Sequence, residues 1–115
     1  MITVRASPEV RPARHLNQLR GWELVFWAGK PFDYAIPFRA ILAEIAGTLG
    51  RHAETELRLP EHKAGEDFIE GQLRFGPHVL GVYFEHSLGF FSLDHLDRAP
   101  LDETWAILES TVRVA

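Results

Sequence analysis

The fold is decided by the middle of the chain, where residues 68–93 read FIEGQLRFGPHVLGVYFEHSLGFFSL. Residues 68–75 alternate between apolar and polar side chains, which is the pattern of a half-buried strand. Turn signals around Gly76 and Gly89 divide the segment into three strands, and connections this short make neighbouring strands antiparallel. The predicted strands cover 68–75, 79–85 and 90–93. The segment therefore predicts a β-meander.

Two amphipathic helices are predicted on either side of the meander. Apolar residues at helical spacing indicate a helix over 34–49, with Asp33 as its N-cap and Gly50 at its end. A second helix is expected to begin near Pro100, where the acidic residues that follow suit the positive end of a helix dipole. The residues expected on its buried face are Leu101, Trp105, Leu108 and Val112.

Three further strands are predicted outside the meander, at residues 2–6, 22–27 and 54–59. Residues 7–20 are rich in proline and arginine, and they are expected to form a connection with one helical turn around Leu16 and Leu19. The sequence thus predicts a single α+β domain spanning residues 1–115. Its mainly antiparallel sheet is expected to have four to five strands and to pack against the two helices.

Length and composition describe an ordinary folded protein. A chain of 115 residues is long enough for one hydrophobic core, and 46% apolar with 24% charged residues is far from the composition of disordered chains. Cysteine is absent, which excludes disulfides, thiol nucleophiles and zinc sites with sulfur ligands. No apolar run has the length of a signal peptide or a membrane span, so a cytoplasmic location without a membrane partner is expected.

Charge is distributed unevenly along the chain. Residues 1–20 sum to +3, whereas residues 21–115 sum to −7. An acidic body repels a phosphate backbone, so direct binding of nucleic acid is not expected. A basic protein partner would instead be attracted and steered toward this surface.

Catalytic and metal-binding signatures are missing from the sequence. There is no GxGxxG, P-loop, GxSxG or HExxH, and the histidines between residues 52 and 95 are not paired at the short offsets that metal ligands need. We therefore predict no cofactor, no metal and no enzymatic activity. One alternative is a small enzyme in which Glu85, His86, Asp94 and His95 form a carboxylate–histidine group; its pH-dependent activity would be lost in His86→Ala.

The polar faces of the predicted strands indicate a surface for protein recognition. They carry several carboxylates together with Ser92 and an aromatic ring, a composition that suits docking of a basic partner. The predicted partner-binding residues are Glu54, Glu56, Glu70, Gln72, Tyr83, Glu85, Asp94 and Asp97.

The second half of the chain resembles a known class of binding proteins. Residues 81–85 (GVYFE) and 88–93 (LGFFSL), followed by a closing amphipathic helix, are similar to the C-terminal half of small immunity proteins of bacterial polymorphic toxin systems, including contact-dependent growth inhibition. The resemblance implies a cytoplasmic antitoxin that binds the toxic domain of its cognate effector, often a nuclease, in a stoichiometric complex. The other alternative is a small adaptor or homo-oligomeric structural domain, for example a homodimer, that self-associates independently of salt through an apolar edge at residues 79–84 or 90–91.

Overall fold

The computed structural model describes the backbone of residues 1–15 and 18–115 and the side chains of residues 1–13 and 20–115, and it is α+β as the sequence predicts. The strands of the described residues are β1 (Ile2–Val4), β2 (Glu9–His15), β3 (Gln18–Trp27), β4 (Leu57–Arg58), β5 (Phe68–Phe75), β6 (His78–Glu85), β7 (Phe90–His95) and β8 (Val112–Val114). The helices of the same residues are α1 (Phe38–Thr48), the single turn α2 (Ala53–Glu56) and α3 (Ala99–Leu108), which continues into a 3-10 turn (Glu109–Thr111). No helix within these ranges has the length and hydropathy needed to cross a membrane.

The main sheet has six strands in the order β2-β3-β7-β6-β5-β4, and every neighbouring pair is antiparallel. The predicted meander forms its centre, and β3 returns to pair with β7. A separate parallel pair, β1 with β8, joins the two ends of the chain. The sheet is therefore larger than the predicted four to five strands.

One face of the sheet carries the hydrophobic core. Leu24, Val82 and Leu93 project from it against α1, α3 and the β1–β8 pair. Aromatic rings tie the layers together: Phe26 stacks on Phe91 with ring centroids 4.5 Å apart, and Phe84 stacks on Phe38 of α1 at 4.8 Å. Because side chains alternate along a strand, the intervening residues point away from the helices. We call this other side of the sheet the open face.

The prediction for residues 7–20 was wrong. In place of a connection, β2 and the beginning of β3 form a hairpin at the edge of the sheet; Leu16 of the expected helical turn lies outside the described residues, and Leu19 lies in β3. An edge strand tolerates Pro12 because one of its sides has no partner, and a shift of register follows between Pro12 and Arg14. The proline that suggested a loop is therefore compatible with a strand.

Other boundaries also differ from the predictions. Helix α1 begins at Phe38 and not near residue 34. Ile36 precedes Pro37, and a residue before a proline disfavours the helical conformation. Asp33 caps a local turn instead, accepting a hydrogen bond from the Ala35 N–H at 3.0 Å. The first half of the strand predicted at 54–59 is the helical turn α2. Val112 lies beyond α3, in β8.

Replacing Phe84 by alanine should lower the free energy of unfolding by about 3–5 kcal/mol, because the ring is fully buried and stacks on Phe38. Urea unfolding followed by tryptophan fluorescence measures the change. Phe68→Ala is the matched control: this ring is 59% exposed on the open face, and its loss should change the free energy by less than about 0.5 kcal/mol. Equal losses in the two variants would contradict the assignment of the buried face.

Candidate functional site

The strand register gathers predicted binding residues on the open face. Glu70 of β5 faces Tyr83 of β6, which faces Ser92 of β7. In the adjacent row, Gly81 of β6 faces Asp94 of β7. These side chains belong to three neighbouring strands about 4.8 Å apart, so residues distant in sequence form one continuous surface.

The other predicted residues of these strands extend the same surface, and β3 adds one acid. Gln72 of β5 pairs with Gly81, and Glu85 ends β6. On the far side of Asp94, Glu23 of β3 completes the row. Three carboxylates that surround the exposed centre of the sheet, those of Glu23, Glu70 and Asp94, thus come from three different strands.

A concavity of about 610 Å³ lies over this part of the open face. Its lining includes Glu70, Tyr83 and Asp94 on the sheet and also Ala13 and Arg20 from the β2–β3 hairpin. In a flat sheet β2 and β5 would lie about 19 Å apart, four strand spacings, so a shared concavity requires the sheet to curl. The irregularity in β2 supplies such a bend, because a bulge increases local twist.

The curl depends on a glycine in β3. Gly21 has φ of +94°, a conformation that other residues rarely adopt. A Cβ at this position would lie 2.6 Å from the carbonyl oxygen of His95 on β7. Glycine at this position therefore allows the β2–β3 hairpin to approach β7 closely. This is the point at which the hairpin curls toward the open face.

A second glycine forms the floor of the concavity. A Cβ at Gly81 would coincide with the carboxylate of Asp94, so this carboxylate lies directly over the β6 backbone. The side chain of Asp94 is exposed on its outer side, but its charged group is packed against the sheet. Gly81 thus sets the position of the Asp94 carboxylate.

The acids of the open face perturb one another. Burial raises the pKa of Asp94 above its ordinary value, and the charges of Glu23 and Glu70 raise it further. The pKa of Tyr83 is also raised. Partial burial, together with the negative charge of Glu85, raises it to about 12. Both shifts show that additional negative charge is unfavourable on this part of the open face.

One of the three carboxylates is neutralised within the chain. The Nε of Arg11 on β2 donates a hydrogen bond to Glu23 at 2.8 Å. No corresponding ion pair involves Glu70 or Asp94 among the residues that the structure describes. The unpaired negative charge of the concavity is thus concentrated at these two residues.

Four aromatic rings form a row along one side of the concavity. The ring centroids are 6.3 Å apart for Phe68 and Tyr83, 5.8 Å for Tyr83 and Phe90, and 5.2 Å for Phe90 and Trp27. The guanidinium of Arg5 lies 5.2 Å from the Trp27 ring and ends the row. Acidic centre and aromatic row together have the composition of a protein-binding surface.

Three of the predicted binding residues do not join this surface through a strand. Glu54 is exposed on α2, because the expected strand is helical there. Glu56 of the same turn reaches toward the sheet, where its carboxylate lies 3.8 Å from the Nε of Arg74. Asp97 follows the end of β7, in the bend before α3.

The residues of the alternative catalytic group are not assembled. Glu85 lies on the open face, and Asp94 is four ladder positions away along the sheet, or about 13 Å. His86 is buried, and its Nδ1–H donates to the Asp33 carbonyl at 3.1 Å. His95 accepts a hydrogen bond at Nδ1 from the Asp97 N–H at 2.9 Å. Neither histidine ring is hydrogen-bonded to a carboxylate within the described chain.

The apolar segments proposed for self-association are also placed differently from the prediction. Strand β6 is paired with β5 and β7, so residues 79–84 are not a free edge. Phe91 is fully buried. Only Phe90 of the 90–91 pair reaches the open face, where it belongs to the aromatic row.

A smaller concavity of about 380 Å³ lies beside His86 at the start of α1. The ring of Tyr34 stacks on His86 with centroids 5.4 Å apart. Arg39 forms two hydrogen bonds to Glu66, at 3.0 and 3.1 Å, and these lower the pKa of the Glu66 carboxyl. Since the charged groups of this concavity neutralise each other, it lacks the unpaired charge of the open face.

Sequence reasoning missed several members of the surface. Glu23, Trp27, Phe68 and Phe90 lie on the open face, but their positions follow from the pairing of β3 with β7 and of β5 with β6. The alternation of side chains along β5 could have placed Phe68 on the same face as Glu70, since the two residues are two positions apart on one strand. No local signal shows which strand lies next to β3.

Comparison with known proteins gives no further guide: no family model, curated protein or solved structure matches this chain. Among residues 1–15 and 18–115, no group of three or more histidine, aspartate or glutamate side chains has an arrangement that could hold a metal ion. The function must therefore be inferred from the open face itself.

Substituting alanine for Gly81 should move the Asp94 carboxylate off the sheet and into solvent, because the new methyl group would occupy its position. The pKa of Asp94 should then fall toward its ordinary value, since burial is the main cause of its elevation. Carboxyl-detected NMR titration measures this pKa. In the control Gly47→Ala, where the methyl group meets nothing within 4 Å, the pKa should not change. An Asp94 pKa that stayed raised in Gly81→Ala would contradict the packing.

Changing Asp94 to asparagine should increase the free energy of unfolding slightly at pH 7. The folded protein binds a proton at Asp94 more tightly than the unfolded chain does, so a penalty accumulates as the pH rises through the unfolded and then the folded pKa. The gain should therefore be largest at neutral pH and disappear in acid below the unfolded pKa. Urea unfolding at several pH values tests this, and destabilisation at pH 7 would show that the charge is compensated.

Proposed function

We propose that this protein is a stoichiometric binding protein that neutralises a basic toxin domain, and that it docks through the open face. The observation that carries the proposal is the concavity on that face, where Glu70 and Asp94 hold unpaired negative charge beside the aromatic row. A complementary surface would be positively charged and would present groups that pack against rings. A nuclease domain has such a surface, because it must attract a phosphate backbone.

The negative charge of the open face favours a positively charged partner. The raised pKa of Asp94 means that its charge is unfavourable in the free protein, through burial and through repulsion by Glu23 and Glu70. A cationic partner would relieve this repulsion, and binding would be coupled to release of any proton that Asp94 carries. The same charges would accelerate association by steering the partner toward the face.

Aromatic residues supply the part of the interaction that charge does not. Phe68 is 59% exposed, and its ring is followed by Tyr83, Phe90 and Trp27 across four strands. Rings on rigid strands lose little conformational entropy on binding, and aromatic side chains dominate many interfaces. Charge would thus govern the rate of encounter, and the rings would govern the lifetime of the complex.

The class of partner is taken from the resemblance of residues 81–93 to immunity proteins of bacterial toxin systems. The open face agrees with a hetero-complex better than with self-association. Two copies joined face to face would bring Glu70 and Asp94 of one molecule toward the same charges of the other, which is unfavourable. The homodimer is therefore the second candidate.

Reversing the unpaired charges with Glu70→Lys and Asp94→Lys together should slow association with the cognate toxin domain by at least about tenfold at low salt, because steering would be lost. The toxin candidate is the product of the gene directly upstream. Stopped-flow or surface-based kinetics at low and high salt measure the effect, and growth of cells that express the toxin reports on neutralisation.

The control variant combines Glu103→Lys and Glu109→Lys, which make the same charge change on α3 and on the 3-10 turn that follows it, away from the open face. It should retain nearly all of the association rate. Equal slowing in the two variants would show that only net charge matters. A defined homodimer without toxin binding would contradict the proposal.

A further inference from the structure

We propose that the concavity on the open face binds the guanidinium group of an arginine side chain presented by the partner. This deepens the proposed function and rests on it for the identity of the partner, but the binding of arginine can be tested without that partner. The evidence is a buried polar group directed into the concavity, the shape of its floor, and the kind of side chains that surround it.

The buried polar side chain is that of Ser92. This residue is only 3% exposed, and it points to the open face, since Phe91 and Leu93 on either side point into the core. The little surface that it keeps lines the concavity, and its hydroxyl takes part in none of the side-chain hydrogen bonds found within the described residues. The hydroxyl is therefore free to accept a hydrogen bond from a ligand in the concavity.

The floor of the concavity is formed by Gly81 and Asp94. Gly81 has no side chain, and the Asp94 carboxylate of β7 lies over its backbone, so the open space lies between this carboxylate and Glu70 on β5. The two strands lie about 9.6 Å apart, two strand spacings, and their carboxylates approach this space from opposite sides. A group with donors on several edges can contact both carboxylates, which a single point charge cannot do as well.

Arginine fits these features better than lysine. Its planar guanidinium carries five N–H donors in a fixed fork, which can satisfy Glu70, Asp94 and the Ser92 hydroxyl together. Its flat surface can also stack on the Tyr83 and Phe90 rings of the adjacent row. Lysine offers a compact charge with three donors and no plane.

The protein already uses this interaction on the same face. Arg11 binds Glu23 at 2.8 Å, at the far end of the row that contains Asp94. A second arginine, Arg20, lies at the rim of the concavity and forms no ion pair with a described residue. Arg20 is therefore placed to compete with an incoming guanidinium, which gives the proposal a variant that should strengthen binding.

The test is an NMR titration of the full chain with the capped peptide acetyl-Gly-Arg-Gly-amide. The matched control peptide carries citrulline, which keeps the shape of arginine but has no charge. Shifts caused by the arginine peptide should concentrate at the backbone amides of Gly81, Tyr83, Ser92 and Asp94. The citrulline peptide should bind at least about tenfold more weakly, and the lysine peptide about threefold more weakly, as expected for loss of charge or of the fork.

Variants of the protein separate this site from general charge attraction. Asp94→Asn should weaken binding of the arginine peptide about tenfold and Ser92→Ala about threefold, whereas Arg20→Ala should tighten it about threefold. Arg58→Ala removes an equal charge from β4, outside the concavity lining, and should have little effect. Far-UV circular dichroism of each variant checks that the fold is kept.

The outcomes also separate this inference from the proposed function. Equal binding of arginine and citrulline, shifts outside the concavity, or weaker binding in Arg20→Ala would overturn the arginine site, even if the toxin complex formed and depended on Glu70 and Asp94. Conversely, the site would stand if the arginine peptide bound as described while the upstream gene product did not bind. Only the proposed partner would then be wrong.

Discussion

The contact between the sheet and α1 is the constraint on which the rest of the structure depends. Phe84 of β6 stacks on Phe38 of the helix, and Phe91 of β7 meets Phe38 edge-on with centroids 6.1 Å apart. Because strand side chains alternate, fixing these two rings inward fixes Tyr83 and Ser92 outward. A slip of one residue would exchange the core and the acidic surface, so the packing that stabilises the domain also defines its candidate binding face.

The open face carries a charge that is unfavourable in the folded protein. Asp94 would be better solvated if its carboxylate were free, but the curled sheet and the bare backbone at Gly81 keep it packed near Glu23 and Glu70. Groups whose pKa is perturbed by burial and by neighbouring charges are concentrated at functional sites, which makes Asp94 a candidate. Arg11 offsets the charge of Glu23, whereas Glu70 and Asp94 form no ion pair with a described side chain.

The sequence predicted those parts that depend on local alternation. Residues 68–75 were assigned to a strand with the bounds that the structure has, and Glu70, Tyr83 and Asp94 were expected on one surface because their strands are joined by short turns. The exposed aromatic row was not predicted, since Trp27 joins it through the pairing of β3 with β7. This pairing joins residues far apart in the sequence, and the side-chain pattern of neither strand indicates it.

The N-terminal segment shows why composition alone was insufficient. Its proline and arginine content suggested a basic connection separate from the acidic body, but the chain pairs it with β3 and turns it over the acids. Arg11 then neutralises Glu23, whereas Arg20 stands at the rim of the concavity. The charge difference between the two parts of the sequence is thus partly cancelled in space. Within the concavity, Glu70 and Asp94 remain without an ion pair to a described side chain, and the proposed docking site depends on this local arrangement and not on the net charge of the chain.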